Sequence, residues 1–321
     1  MARVRIVLLL GMLISLALVP PVATWLDEPF YIVLFSRMLI LAIGAIGLNL
    51  VMGYGGMVSF GHAAFVGIGA YMVGIGSFHS IEDGIDWMAS GFFQLPLAIL
   101  VSAFFALIIG AISLRTKGVY FIMITLAFSQ MLYFVAVGVE IYGADDGLSL
   151  YGRSEFAGLL DLNSDSAMYY VNFVTLGICL YAVHRIINSR FGLAIQGARS
   201  NERRMQAIGF PTFPYRLTAF VISGVICGIA GFLLANQTDF VSPDMMHWTR
   251  SGDLIIMVVL GGMGTLFGPL VGAVAFLLVE EILSSITVSW QLYFGPLLIL
   301  VVLFARGGID GLLRPRQSAD G

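Results

Sequence analysis

The sequence predicts an all-α integral membrane protein of about ten transmembrane helices, forming one transmembrane domain over residues 1–321. Three observations carry this. The chain is 59% hydrophobic and only 11% charged, where a soluble domain holds roughly 25% charged residues. Apolar runs close to twenty residues long recur along its length, the length a helix needs to cross a bilayer. The basic residues gather in alternate connections between those runs, as the insertion machinery requires of cytoplasmic loops.

The first run follows Arg3 and Arg5 and extends from residue 6 to about 25. A signal peptide is the alternative, but no small-x-small site precedes Asp27, so an uncleaved span is favoured. Further spans are expected at about 30–52, 58–78, 92–114, 118–140, 167–187, 216–237, 253–262, 268–288 and 289–305. The short run at 253–262 reads as half a span that continues through a break. Cys179 and Cys227 both fall inside apolar runs, which points to buried thiols rather than a disulfide.

Orientation follows from the cations. With the N-terminus inside, Arg115, Lys117, Arg185, Arg190, Arg199, Arg203, Arg204, Arg216, Arg306, Arg314 and Arg316 all lie on the cytoplasmic side. Only Arg153 and Arg250 fall outside, and Arg37 sits within a span. Both termini are then cytoplasmic. The longest outer segment, about 141–166, is polar and suits folding over the mouth of the protein or contact with an external partner, with a solvated connector as the alternative.

One connection is unlike the rest. Residues 189–216, SRFGLAIQGARSNERRMQAIGFPTFPYR, hold five arginines and a single acid, Glu202. Such a segment cannot cross hydrocarbon. Its middle, 194–208, puts Ile195, Ala198, Met205 and Ile208 near one helical face. Gly209 suits a C-cap, and Pro211 and Pro214 prevent continuation. A short basic, half-apolar helix suits contact with a soluble protein; a solvated loop that only fixes topology is the alternative.

Two glycine-rich stretches mark breaks. In NLVMGYGGMVSFGHAAFVGIGAYMVGIG, from residue 49, Gly53, Gly55, Gly56 and Gly61 are too dense for an ordinary span, and Asn49, Ser59 and His62 are polar. Irregular backbone survives in a membrane only when protein or a water-filled path surrounds it. Helix ends there would offer N–H and C=O groups to a polar solute, so Asn49, Gly53, Gly55, Gly56, Ser59 and His62 are expected near a translocation path. Helix packing through small residues is the alternative, and is expected of Gly67, Gly69, Gly74 and Gly76. The second stretch, GGMGTLFGPLVG from residue 261, echoes the first and adds Gly261, Gly262 and Gly264. Bulky replacements at Gly55, Gly56 or Gly262 are expected to block transport without preventing assembly. Glu280, with Glu281, is charged within a span and joins the path residues, with pairing as the alternative; Arg37 could snorkel outward.

No GK[ST] occurs around Lys117, the single lysine, so the chain carries no phosphate-binding loop of its own; HExxH and G-x-S-x-G are also absent. No cofactor, metal site or nucleic-acid partner is expected.

The motifs GLNLVMGYGGMVSFGHAAFVGIGAY, LRTKGVYFIMITLAFSQM, YGADDGL, SRFGLAIQGARSNERRMQAIGF and VVLGGMGTLFGPLVGA occur in this order over most of the chain. In them the chain resembles the permease subunits of branched-chain amino-acid ABC importers, the M-type permeases of the Liv system. The resemblance implies a ten-helix permease of the type II class, similar to the vitamin B12 importer, in the bacterial inner membrane. It implies a second, related permease, two ATP-binding subunits, an external solute-binding protein and the surrounding lipid as partners. It also implies that the basic loop, about 188–216, is a coupling segment that docks on the ATPase through Arg199, Glu202, Arg203, Arg204, Ala207 and Gly209. The usual glutamate, alanine and glycine map to Glu202, Ala207 and Gly209 with altered spacing, and Ala144 stands where relatives often have a second glycine. Import of urea or short-chain amides belongs to the same family. A self-contained ion-coupled transporter using Glu280 or Glu281 is the reading from a different class.

Overall fold

The computed structural model describes residues 11–156, 162–287, 289–304 and 307–312. Arg3, Arg5, Arg306, Arg314 and Arg316 lie outside them. Within the described residues the chain is almost wholly helical, and seven helices are long and apolar enough to cross a membrane.

Helix α1, described over 11–17, is separated from α2 (Val19–Trp25) by a turn at Leu18. Pro20 and Pro21 open α2, where a missing N–H costs least. Within the described residues 11–25 the first apolar run is thus helical on either side of this turn. Then α3 (Phe30–Asn49) runs on through a π-turn at Leu50–Tyr54. It is followed by α4 (His62–Glu82), α5 (Gly91–Ser113), α6 (Val119–Gly138) and α7 (Asp165–Ile187). The basic segment is α8 (Arg190–Ala207), and α9 (Thr212–Thr238) returns across the molecule. The chain ends in α10 (Trp248–Gly261), α11 (Gly268–Ile286), α12 (Trp290–Phe304) and α13 (Gly308–Leu312).

Several expected boundaries move, each for a local reason. Helix α4 starts at His62 rather than 58 because the glycine-rich stretch before it is irregular. Helix α9 starts at Thr212, ahead of the expected 216, with Pro214 in its first turn, where proline has no helical N–H partner to lose. Helix α10 has 14 residues, about 21 Å at 1.5 Å per residue, too short to cross a hydrocarbon core alone.

Helices α3, α4 and α9 form the centre. Buried positions make up 72% of the most apolar window of α3 and 61% in α4 and α9, against 17% in α6, which faces outward. The α4–α9 seam is a glycine contact: a Cβ on Gly69 would overlap the Gly228 carbonyl, and one on Gly231 the Val66 carbonyl. Small residues let the two backbones touch where lipid supplies no hydrophobic drive. Cys179 and Cys227 are free buried thiols.

The two ends of the bundle differ in charge. At the acidic end the connections holding Asp83, Asp145 and Asp239 come together. Strand β1 (Leu148–Ser149) pairs antiparallel with β2 (Phe240–Val241), and Ser90 bridges to Glu155. Arg153 reaches Asp165 at 2.7 Å and Asp239 at 3.7 Å. The segment 141–156 is thus folded onto its neighbours rather than left as a solvated connector. Within it Ala144 has φ +46°, a conformation that strains a Cβ by about 1–2 kcal/mol. Ala144→Gly is expected to stabilise the protein by about 1 kcal/mol, read as a rise in thermal midpoint; an unchanged or lower midpoint would show the strain is not there.

Candidate functional site

At the basic end the two glycine-rich stretches and the basic loop meet. The first stretch lies at the end of α3 and π-turn, between two complete spans rather than within one. Asn49, 1% exposed, sends its side chain to the second stretch, 216 residues away in sequence. Its Nδ2 donates to the Thr265 carbonyl at 2.9 Å, and its Oδ1 accepts from the Gly264 amide at 2.9 Å. Thr265 holds its own loop by donating to the Gly262 carbonyl and accepting from the Gly268 amide, each at 3.0 Å. Arg199 of α8 donates to the Gly53 carbonyl from the other side, and the position of Gly56 is covered by the Arg199 stem. Gly55 is buried against Val51. One asparagine and one arginine thus join both breaks to the basic loop.

Gly261 lies against the Gly268 backbone, and α13 seats the Gly307 carbonyl against Gly262. Asp310 of that short helix is fully buried beside Gly262; periodicity could not single out so short an element.

Ser59 and His62 are both 0% exposed. His62 Nδ1 lies 3.0 Å from Ser59 Oγ and Nε2 lies 2.8 Å from Ser223 Oγ, which itself donates to the Gly47 carbonyl. That pattern suits a neutral imidazole accepting at Nδ1 and donating at Nε2. The amides at these helix starts are also occupied: Phe60 by Thr125, Gly61 by Ser59, Ala63 by Ser251. In this conformation the backbone donors expected to meet a solute meet side chains instead.

The basic loop differs from the helix expected over 194–208. Helix α8 begins at Arg190, capped by Ser189 Oγ on the Gly192 amide, and is interrupted at Asn201 (φ −157°, ψ 98°). Asn201 Oδ1 accepts from the Arg204 amide at 2.9 Å, so it caps a second half. The first half buries Ala194, Ile195 and Ala198. In the second half Arg203, Arg204 and Ala207 are exposed, and Gly209 closes it at φ +90°.

Glu202 stands apart from these exposed residues. Its carboxylate takes Lys117 Nζ at 2.5 Å, Thr212 Oγ1 at 3.1 Å and Arg216 Nη1 at 3.4 Å. Burial alone would raise this carboxyl. Hydrogen bonds from Lys117 and Thr212, with the charges of Arg216 and Lys117, outweigh it and hold the group below the usual glutamate range. A carboxyl lowered on folding stabilises fully above its unfolded value, about 4.3, and loses that contribution as pH falls through the folded one. A spin label at Ala207 is therefore expected to loosen in Glu202→Gln at pH 7, and in the parent only at a pH below the usual glutamate range. Equal label mobility in the two at pH 7 would remove this anchor.

Glu280 is not at either break. It lies near the acidic end, 3.8 Å from Arg37, and both line a cavity of about 600 Å³. Its other polar lining includes Asp244, Thr249, Arg250 and Asp253, and its walls are apolar, with Val66, Leu234, Leu254, Phe276 and Phe294. Arg250 bonds Asp244 at 2.5 Å and stands 3.7 Å from Asp253. Gly44 and Met257 line it as well, so it ends about one helical turn short of Asn49 and Gly261. Sequence reasoning missed Asp244, Arg250 and Asp253, which come from a loop and a short helix with no local motif.

A helical bundle with buried polar breaks, a cavity at one charged end and a basic loop at the other defines a membrane permease. The family model described as branched-chain amino acid transport system / permease component matches residues 30–305. The chain belongs to this family: it is a permease subunit of a branched-chain amino acid ABC importer, a multi-pass protein of the bacterial inner membrane. The high-affinity branched-chain amino acid transport system permease protein LivM of Salmonella typhimurium is 29% identical over 295 residues, covering 84% of this chain and 68% of its own. The Escherichia coli protein of the same description is 28% identical over the same shares. A probable branched-chain amino acid transport permease protein LivH of Methanocaldococcus jannaschii is 21% identical over 234 residues, 67% of this chain and 71% of its own. No solved structure matches.

Proposed function

We propose that this subunit is a ten-helix permease forming one half of the pore of a type II importer that moves leucine, isoleucine or valine inward. The basic end is cytoplasmic, as are both termini, because the cations collect there. A second, related permease completes the pore, two ATP-binding subunits dock at the basic loop, and an external solute-binding protein delivers the amino acid at the acidic end. The related LivM and LivH proteins are each named as permeases of such transport systems, which supports a pair of permeases.

The observation that carries this reading is the junction of Arg199, Gly53, Asn49 and Gly264. A movement imposed on α8 by an ATPase reaches Gly53 through Arg199 and the second break through Asn49. The break residues Asn49, Gly53, Gly55, Gly56, Gly261, Gly262 and Gly264 then act as the cytoplasmic closure of the path, with Ser59 and His62 holding α4 to α9. Such alternation of access needs two discrete packings, which ATP binding favours differently. Docking falls to the exposed half of α8, with Arg203, Arg204, Ala207 and Gly209, while Arg199 and Glu202 fix that half to the bundle.

Removal of residues 203–209 is expected to abolish co-purification of the ATPase while leaving the chain inserted. Retained ATPase would sink the docking role. Replacing Arg203 or Arg204 singly is expected to weaken association by about 1 kcal/mol or less, since exposed pairs contribute little.

A further inference from the structure

We infer that the cavity at the acidic end is a binding site for a free zwitterionic amino acid within this single subunit, resting on the branched-chain reading above. Its volume, about 600 Å³, is in the range of small-molecule sites. Its chemistry is divided in the way such a solute requires. Two guanidinium groups, Arg37 and Arg250, face three carboxylates, Asp244, Asp253 and Glu280. Arg250 holds Asp244 at 2.5 Å through Nη2, but its Nη1 stands 3.7 Å from Asp253 and Arg37 stands 3.8 Å from Glu280, beyond the reach of a good charged hydrogen bond. A solute can therefore enter at Arg250 Nη1 and between Arg37 and Glu280 while the Arg250–Asp244 pair stays in place.

The solute carboxylate goes to Arg250 and the opening turn of α10. Thr249 lines the cavity there, no side chain caps the helix start, and a helix N-terminus favours an anion. The ammonium goes to Asp253 and Glu280, on α10 and α11, where the acids outnumber the cations. The aliphatic side chain lies on Leu234, Leu254, Phe276 and Phe294. Such walls admit leucine, isoleucine and valine alike, and one methylene more or less in an apolar pocket changes binding by about 10–200-fold. Urea has neither the charges nor the side chain to use them.

The test uses the assembled transporter, both permeases with the ATP-binding subunits, without the external binding protein. Leu234→Cys places a half-buried thiol in the cavity, and a charged thiol reagent reads its accessibility; the parent, with Cys179 and Cys227 buried, is the blank. Leucine is expected to protect Leu234→Cys, urea is not, and adding Asp253→Asn should raise the half-protecting leucine concentration at least tenfold. A thiol that never labels, or labels equally with and without leucine while the transporter imports leucine, overturns the site and leaves the family reading intact. A half-protecting concentration unchanged by Asp253→Asn overturns the assignment of the ammonium. If the complete importer, binding protein included, takes up no branched-chain amino acid, the substrate reading falls and the site falls with it.

Discussion

Asn49→Ala is expected to leave ATP hydrolysis running while uptake falls by more than tenfold. The side chain satisfies a buried carbonyl on Thr265 and a part-buried amide on Gly264. Alanine leaves both without a partner, at about 1–3 kcal/mol each. Together, about 2–6 kcal/mol, these are enough to change the relative populations of two packed states by about 30- to 10,000-fold. The helices themselves lose nothing, so the chain still inserts and binds its ATPase. Asn49→Asp separates the two halves of the contact, since it keeps the acceptor for Gly264 and turns a second oxygen toward the Thr265 carbonyl. It is expected to be no better than alanine. Proteoliposome uptake and ATPase assays on the same preparation decide this; parent-like coupling in Asn49→Ala would mean that the two breaks move independently.

The second large effect separates two glycines that the sequence treats alike. Both Gly56 (φ +68°) and Gly262 (φ +121°) have backbones that disfavour a side chain. At Gly262 the added carbon would lie 2.6 Å from the Gly307 carbonyl, which is backbone. At Gly56 it would lie 2.8 Å from the Arg199 Cγ, part of a flexible stem. Gly262→Ala therefore combines strain of about 1–3 kcal/mol with an overlap that cannot relax locally. It is expected to lower the yield of folded, detergent-stable protein severalfold, where the sequence alone expects transport to fail with assembly intact. Gly56→Ala is expected to assemble and to lose uptake, because Arg199 must leave the Gly53 carbonyl. Size-exclusion profiles and uptake measured side by side check the pair; equal yields for the two variants would mean that α13 does not seat on the break.

The local features of this protein were legible in the sequence and the distant ones were not. Apolar runs of twenty residues gave α3 to α7, α9 and α11, because crossing lipid leaves little choice of composition. Glycine density located both breaks, and Gly209 ends α8 as its position suggests. The kink at Asn201 was hidden because asparagine is ordinary in a helix pattern, and becomes a cap only when the chain around it turns. Pro214 reads as a stop in the sequence and sits in the first turn of α9 in the fold, because sequence alone does not say whether a proline precedes a helix or opens it. The partner of Asn49 lies 216 residues away, and nothing in local spacing encodes such a pairing. For the same reason Glu280 stood alone in the sequence and stands opposite Arg37 in the fold.

The two-residue ladder between Leu148–Ser149 and Phe240–Val241 has a consequence for how the protein is made. Its strands are separated by α7, α8 and α9, so the ladder can close only after all three have been synthesised and threaded. A contact so distant in sequence forms late, once the intervening chain has been ordered. Protease resistance of the segment around Ser149 therefore dates the insertion of α9, before α10 to α12 are in place. Nascent chains halted before residue 240 should be cut there, and chains released beyond it should resist.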